Sequence, residues 1–196
     1  TAANYLTRPP KRSDVLSVFA GLRPLAAPRS EGKKTKEISR SHKLIREKSG
    51  LITIIGGKWT TYRKMAQDTL DLAIRYMHIP TKDCITERYQ IHGSRKNPDF
   101  SDPLYVYGTD ADEIRNLVAS SPAMAEKLHP DYAYTVGEVT WLVRNEMPRT
   151  LEDVLARRLR ILFLDARAAM AMAPKVAGIL VTEWGKDETW TSAQVK

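Results

Sequence analysis

Two adjacent glycines separate a β-branched run from a helical pattern in Leu51-Ile52-Thr53-Ile54-Ile55-Gly56-Gly57-Lys58-Trp59-Thr60-Thr61. The run is continuous and lies between Gly50 and Gly56, as expected of a buried strand. From Thr61 to Met77 the apolar positions are Tyr62, Met65, Ala66, Leu70, Ala73, Ile74 and Met77, with Arg63, Lys64, Asp68 and Asp71 opposite. That spacing predicts an amphipathic helix, which Pro80 ends. A strand that turns directly into a helix through two glycines restricts the fold to one that uses the turn for a close backbone approach.

The rest of the chain has two characters. Residues 1–67 hold 15 Lys and Arg against 4 Asp and Glu, whereas residues 68–196 hold 16 against 19, for a net charge of +8. A basic segment of this kind attracts anions: nucleic acid, an acidic membrane surface or a phosphorylated small molecule. Further strands are expected at Val15–Ala20 and Ile38–Arg46, with weaker strand character at Glu87–His92. Gly93–Asp102 is rich in turn residues and marks a boundary. Beyond it the pattern is helical, over residues 110–119, 136–145, from a capping box at Thr150-Leu151-Glu152-Asp153, over 161–172, over 175–184 with Pro174 in the first turn, and after Asp187. The expected class is α+β: a partial mixed sheet with helices in residues 1–92, then an all-α bundle in residues 93–196.

No apolar run approaches the roughly 18 residues of a membrane-spanning helix. Thr1–Leu6 offers no basic leader before an apolar core, so no secretory signal is expected. Cys84 is the only cysteine, which excludes an internal disulfide and a cysteine metal cluster. No metal-ligand cluster, carboxylate pair or nucleophile–base pair stands out in the helical part.

The Gly56-Gly57-Lys58 turn joins bare backbone, a helix start with its N–H groups and a full positive charge. It suits a phosphate or the electron-rich edge of a flavin. From spacing alone the better reading is a glycine-rich turn with Thr60 or Thr61 as a plain cap, since Gly-Gly-Lys-x-Thr is not a Walker A loop. Arg23, fixed before Pro24, and Arg40 are placed to hold oxygens bidentately or to satisfy nearby carbonyls. His42 offers an imidazole for acid–base chemistry, or serves as a structural histidine on a strand. The run Arg29, Lys33, Lys34 and Lys36 reads as a solvated loop or as an electrostatic patch.

Three motifs occur in order: Phe19-Ala20-Gly21-Leu22-Arg23-Pro24-Leu25, Ile38-Ser39-Arg40-Ser41-His42, and Ser49 to Arg63 around Gly56-Gly57-Lys58-Trp59-Thr60-Thr61. With Glu138-Val139-Thr140-Trp141, Thr150 to Arg158, Leu164 to Ala169 and Pro174-Lys175-Val176-Ala177, they resemble FAD-dependent glycerol-3-phosphate dehydrogenase over nearly the whole chain. The family's Gly-x-Gly-x-x-Gly fingerprint for the FAD pyrophosphate occurs nowhere in these residues. The resemblance therefore implies the C-terminal third of such an enzyme: the end of the FAD and substrate domain, then the helical domain. A histidine candidate for the base would lie upstream, and the fragment alone would be inactive.

By the same resemblance, Gly56, Gly57, Lys58 and Thr60 would line the flavin, Arg23, Arg40 and Lys58 would bind substrate, and Arg23 and Lys58 would be catalytic. The reaction implied is oxidation of sn-glycerol 3-phosphate to dihydroxyacetone phosphate with hydride transfer to FAD, then electron transfer to quinone or oxygen. A cytoplasmic protein, peripheral at the inner face of the cell membrane, is expected, with homodimerisation allowed and nucleic acid not a partner. The alternatives from other classes are a basic module binding nucleic acid or anionic lipid, and a helical docking or assembly domain.

Overall fold

The computed structural model describes residues 4–22 and 41–195. The chain divides into two units, Gly21–Ile91 and Thr1–Ala20 together with His92–Lys196.

In the Gly21–Ile91 unit, β1 (Lys43–Arg46) pairs antiparallel with β2 (Ile52–Ile55), in a register running from Lys43↔Ile55 to Arg46↔Ile52. The hairpin closes through the Glu47 N–H bond to the Leu51 carbonyl (2.9 Å) and the Gly50 N–H bond to the Glu47 carbonyl (3.0 Å). Among the described residues the expected mixed sheet is this two-stranded antiparallel ribbon. Residues 86–88 and 92–93 form turns with 89–91 irregular between them, and residues 15–20 are in no strand. β-branched composition records a fit to a half-buried pleated surface and does not supply a neighbour. β2, expected to be buried, is half-buried along its whole length.

The helix α1 (Tyr62–Met77) follows a single 3-10 turn, Trp59–Thr61, and ends at His78 in the left-handed region (φ 54°). None of its residues is fully buried. A helix of this length is marginal in water by itself. Cross-links hold it to the hairpin: the Arg46 guanidinium sits 3.5 Å from the centroid of the Tyr76 ring, and Asp68 bonds His42.

The second unit is helical: α2 (Ala111–Ala119), α3 (Pro122–Ala125), α4 (Val136–Asn145), a π-helical turn at Asp153–Arg158, α5 (Ile161–Leu164), α6 (Ala166–Trp184) and α7 (Glu188–Val195). Its core joins Ile114, Val139, Leu142, Val154, Ile161, Met172, Val176 and Leu180, all inaccessible to solvent. Each such side chain contributes about 2 kcal/mol of transfer free energy. The capping box at residue 150 is formed reciprocally: Asp153 N–H donates to Thr150 Oγ1 and Thr150 N–H to Asp153 Oδ2, both at 3.1 Å.

Two helices expected around residue 174 are one. Pro174 lies inside α6. Proline removes an N–H and costs about 3 kcal/mol in a helix interior. Here it faces solvent, where water can hydrate the Met170 carbonyl that loses its helical donor. The buried stripe Ala168, Ala169, Met172, Ala173, Val176, Ala177 and Leu180 runs unbroken past it. The break falls earlier, at Asp165, which is extended and accepts N–H bonds from Arg167 and Ala168, each 3.0 Å. Aspartate favours that capping position over a helix interior.

Residues 1–20, expected to belong with residues 21–92, group with the helical unit. Ser17 Oγ donates to the Leu162 carbonyl at 2.8 Å, Ala166 N–H to the Leu16 carbonyl at 3.1 Å, and Phe19 meets Phe163 edge-on at 5.0 Å. The carbonyls left at the short α5 helix are a ready partner for an extended segment.

One carboxylate is buried in the helical core. Glu138 on α4 is 4% exposed and accepts the Tyr107 hydroxyl at 2.6 Å. Burial pushes its pKa up to about 7, against the smaller opposing effect of the Tyr107 bond. The folded state therefore holds a proton between about pH 4.5 and 7 that the unfolded chain releases, so this group's contribution to stability falls as pH rises through that window. The full loss is about 3 kcal/mol. Glu138→Gln keeps the acceptor for Tyr107 without the charge. Chemical denaturation of the helical CD signal at pH 5 and pH 8 is expected to show a smaller pH dependence in Glu138→Gln than in wild type, with the variant the more stable at pH 8.

A second expectation comes from Gly108, which adopts φ 55°, ψ −120° within the turn preceding α2. A Cβ there would sit 1.6 Å from the Gly93 carbonyl oxygen, a backbone atom that cannot swing away. Gly108→Ala is expected to destabilise the unit by about 3 kcal/mol, read as a lower denaturation midpoint with an unchanged slope.

Candidate functional site

The turn leaving β2 collects Gly56, Gly57, Lys58 and Thr60 on one exposed corner. Both glycines have positive φ, 76° and 85°, which side-chain-bearing residues rarely adopt. Gly57 carries a second restriction. A Cβ added to it would meet Met65 Sδ at 2.5 Å and His42 Cβ at 3.3 Å. The space a side chain would need is already filled, from α1 on one side and from the residue preceding β1 on the other.

Lys58 follows in an extended conformation (φ −133°, ψ 152°) and caps the 3-10 turn. Its N–H donates to Thr61 Oγ1 at 3.2 Å, and its carbonyl accepts from both the Thr61 hydroxyl and the Thr61 N–H, each at 3.0 Å. Thr61, not Thr60, is thus the residue that closes the turn. The Lys58 side chain is exposed and has no salt bridge among the described residues. Trp59 beside it is 88% exposed, its ring 6.0 Å from that of Tyr62. A bare backbone, an exposed ammonium and the start of a 16-residue helix form a corner suited to an anion or to a flat, electron-rich ring.

Behind the corner lies a hydrogen-bonded chain. His42 Nε2 is 2.9 Å from Asp68 Oδ2, and Lys64 Nζ is 3.0 Å from Asp68 Oδ1. These bonds, that from Lys64 first and that from His42 after it, hold the Asp68 carboxyl below its ordinary pKa. The His42–Asp68 bond spans 26 residues. Sequence reasoning missed it, because an aspartate on the polar face of a predicted helix gives no sign of which distant residue it meets. Arg63, next along the same motif, is engaged with Gln67, Thr86 and Glu87 at 3.0 to 3.3 Å. It helps to wall a cavity of about 380 Å³ on the other side of α1, with Tyr62, Leu70, Cys84 and Tyr89.

Of the residues singled out in the sequence, Gly56, Gly57, Lys58 and Thr60 are brought together. Arg23 and Arg40 lie outside the described residues, as does the basic run Arg29, Lys33, Lys34 and Lys36. No helix of the described residues is long and apolar enough to cross a membrane.

Comparison with known proteins follows the same segment. Residues 51–191 match the family of the C-terminal domain of alpha-glycerophosphate oxidase. The mitochondrial glycerol-3-phosphate dehydrogenase of Arabidopsis thaliana is 33% identical across 94% of this chain and 34% of its own length. A probable mitochondrial glycerol-3-phosphate dehydrogenase of Caenorhabditis elegans is 36% identical across 94% of this chain and 28% of its own. The human mitochondrial glycerol-3-phosphate dehydrogenase is 31% identical across 91% and 27%. The chain thus spans about a third of the length of these relatives or less. Their mitochondrial designation overturns the expectation of a cytoplasmic protein at the inner face of the cell membrane. Charge and the lack of a spanning helix say nothing about which compartment holds a protein, and that expectation rested on no address signal. With the family match covering both the glycine turn and most of the helical unit, the chain belongs to the family of the C-terminal domain of alpha-glycerophosphate oxidase.

Proposed function

We propose that this chain supplies part of the active site of a mitochondrial, FAD-dependent oxidoreductase that converts sn-glycerol 3-phosphate to dihydroxyacetone phosphate. The observation that carries the reading is the Gly56-Gly57-Lys58 corner. Two positive-φ glycines present bare backbone immediately before an exposed lysine without a salt-bridge partner among the described residues. The names of the relatives supply the substrate.

The residues present fit a flavin. Gly56 and Gly57 bring no side chain to the exposed face of the turn, and the ammonium and helix start favour an electron-rich edge. Gly56, Gly57, Lys58 and Thr60 would hold that edge, and FAD, when bound, is the hydride acceptor. Lys58 would offset negative charge arising beside it and orient an oxygen of the substrate. Arg23 and Arg40 would bind the dianionic phosphate and the hydroxyls, since a guanidinium matches phosphate bidentately. The Gly-x-Gly-x-x-Gly fingerprint is absent from the sequence, so the 196-residue chain by itself is expected to retain no stoichiometric flavin, and yellow absorbance in the purified chain would refute that.

Three variants of the complete protein test the assignment. Lys58→Ala is expected to lower kcat by about 100-fold, the usual cost of one donor to developing charge. Arg40→Ala is expected mainly to raise KM, as loss of a contact equal in ground and transition states does. Arg23→Ala is expected to lower both kcat and kcat/KM. Wild-type kinetics in all three would remove these residues from the site.

A further inference from the structure

A site at this corner needs the backbone that carries Lys58 to be held in place. We infer that the His42–Asp68 pair is a positioning device for Lys58, an inference that rests on the proposed site. The contacts run in sequence. Asp68 is fixed on α1 by Lys64 one helical turn earlier (3.0 Å). It receives His42 Nε2 at 2.9 Å, which holds the imidazole against the helix. His42 directly precedes β1, whose first residue, Lys43, pairs with Ile55 at the end of β2. Its Cβ then stands 3.3 Å from the position a Gly57 Cβ would take, while Met65, one turn before Asp68 on the same helix, fills the other side.

Gly57 is therefore clamped between the strand end and α1, and Lys58 is the next residue. Its own backbone is fixed on the far side by the bonds to Thr61. The turn is pinned both before and after the lysine. His42 and Asp68 are only 23% and 28% exposed at their side chains, so the bond is partly shielded from water. Freed from Asp68, residue 42 would no longer be tied to α1, and the wall its Cβ gives the Gly57 backbone would be free to shift. Displacement of a positioned group by about 1 Å is enough to cost up to about 100-fold in rate.

This is a positioning role, not one of direct contact with substrate, and it makes a prediction that mere fold stabilisation does not. In the complete, flavin-loaded protein, His42→Ala is expected to lower kcat about 10-fold with a smaller change in KM. It is also expected to move the flavin midpoint potential, measured without turnover, in the same negative direction as Lys58→Ala. In a Lys58→Ala background, His42→Ala is expected to have no further effect on kcat or potential, because residues acting through one another are not additive. His42→Gln, which keeps an amide N–H near the Nε2 position for Asp68, is expected to recover most of the loss. Asp68→Asn supplies the same test from the helix side should His42→Ala not fold. Additive effects of His42→Ala and Lys58→Ala would overturn the inference, as would wild-type kcat and potential in folded His42→Ala. If Lys58→Ala itself left kinetics and potential unchanged, the proposed site would fail instead, which keeps the two outcomes apart.

Discussion

Gly57 has no side chain, and the Gly21–Ile91 unit is arranged around that fact. Met65 Sδ and His42 Cβ both lie within 3.3 Å of the place a Cβ would occupy, so helix and strand end close on the glycine backbone itself. A φ of 85° then sends the chain out of β2 into the turn that carries Lys58. Any larger residue would be strained in its dihedral and would force the Met65 side chain to move. Two short strands and one helix with no fully buried residue have little apolar burial to spend on a defined turn. The definition comes instead from close backbone contact and from the polar ties at His42–Asp68 and Arg46–Tyr76.

The helical unit solves a different problem. Its core is apolar and closed to solvent, and its departures from helix preference lie where burial or capping outweighs them. Pro174 stays inside α6 because its ring faces water while the apolar stripe on the opposite face continues. Asp165 interrupts a helical pattern because it caps α6 and also accepts the Tyr132 hydroxyl at 3.0 Å. Glu138 is the exception that costs stability near neutral pH. Its carboxyl, raised by burial, ties α4 to the turn bearing Tyr107. Tyr107 in turn stacks edge-on against Trp141 at 5.7 Å, whose Nε1 donates to Glu113 on α2 at 3.0 Å.

The two units differ in what they leave exposed. The family match extends from β2 through the helical unit, and the exposed positive charge of Lys58 beside bare glycine backbone lies before α1. Among the described residues, no buried side-chain nitrogen or oxygen of the helical unit lacks a hydrogen-bond partner. Trp59, Tyr62, Leu70 and Met77, on and before α1, are large apolar side chains left exposed, and the chain spans 34% or less of the length of its relatives.

Local pattern determined a good deal here. The span of α4, the reciprocal cap at Thr150 and Asp153, the stop at Gly185, the cap at Asp187 and the strand–glycine–helix order around Lys58 all depend on residues within a few positions of one another, and all were legible in the sequence. Ordered motifs carried the family as well. Tertiary structure alone decided what depends on distant partners. It made the sheet a two-stranded ribbon, sent residues 15–20 to the Leu162 and Ala166 backbone, and let α6 run past its proline. It also buried Glu138 beneath Tyr107 and brought His42 to Asp68 behind Gly57. Spacing along the chain reports periodicity and caps, whereas burial and long-range hydrogen bonds depend on which surfaces meet.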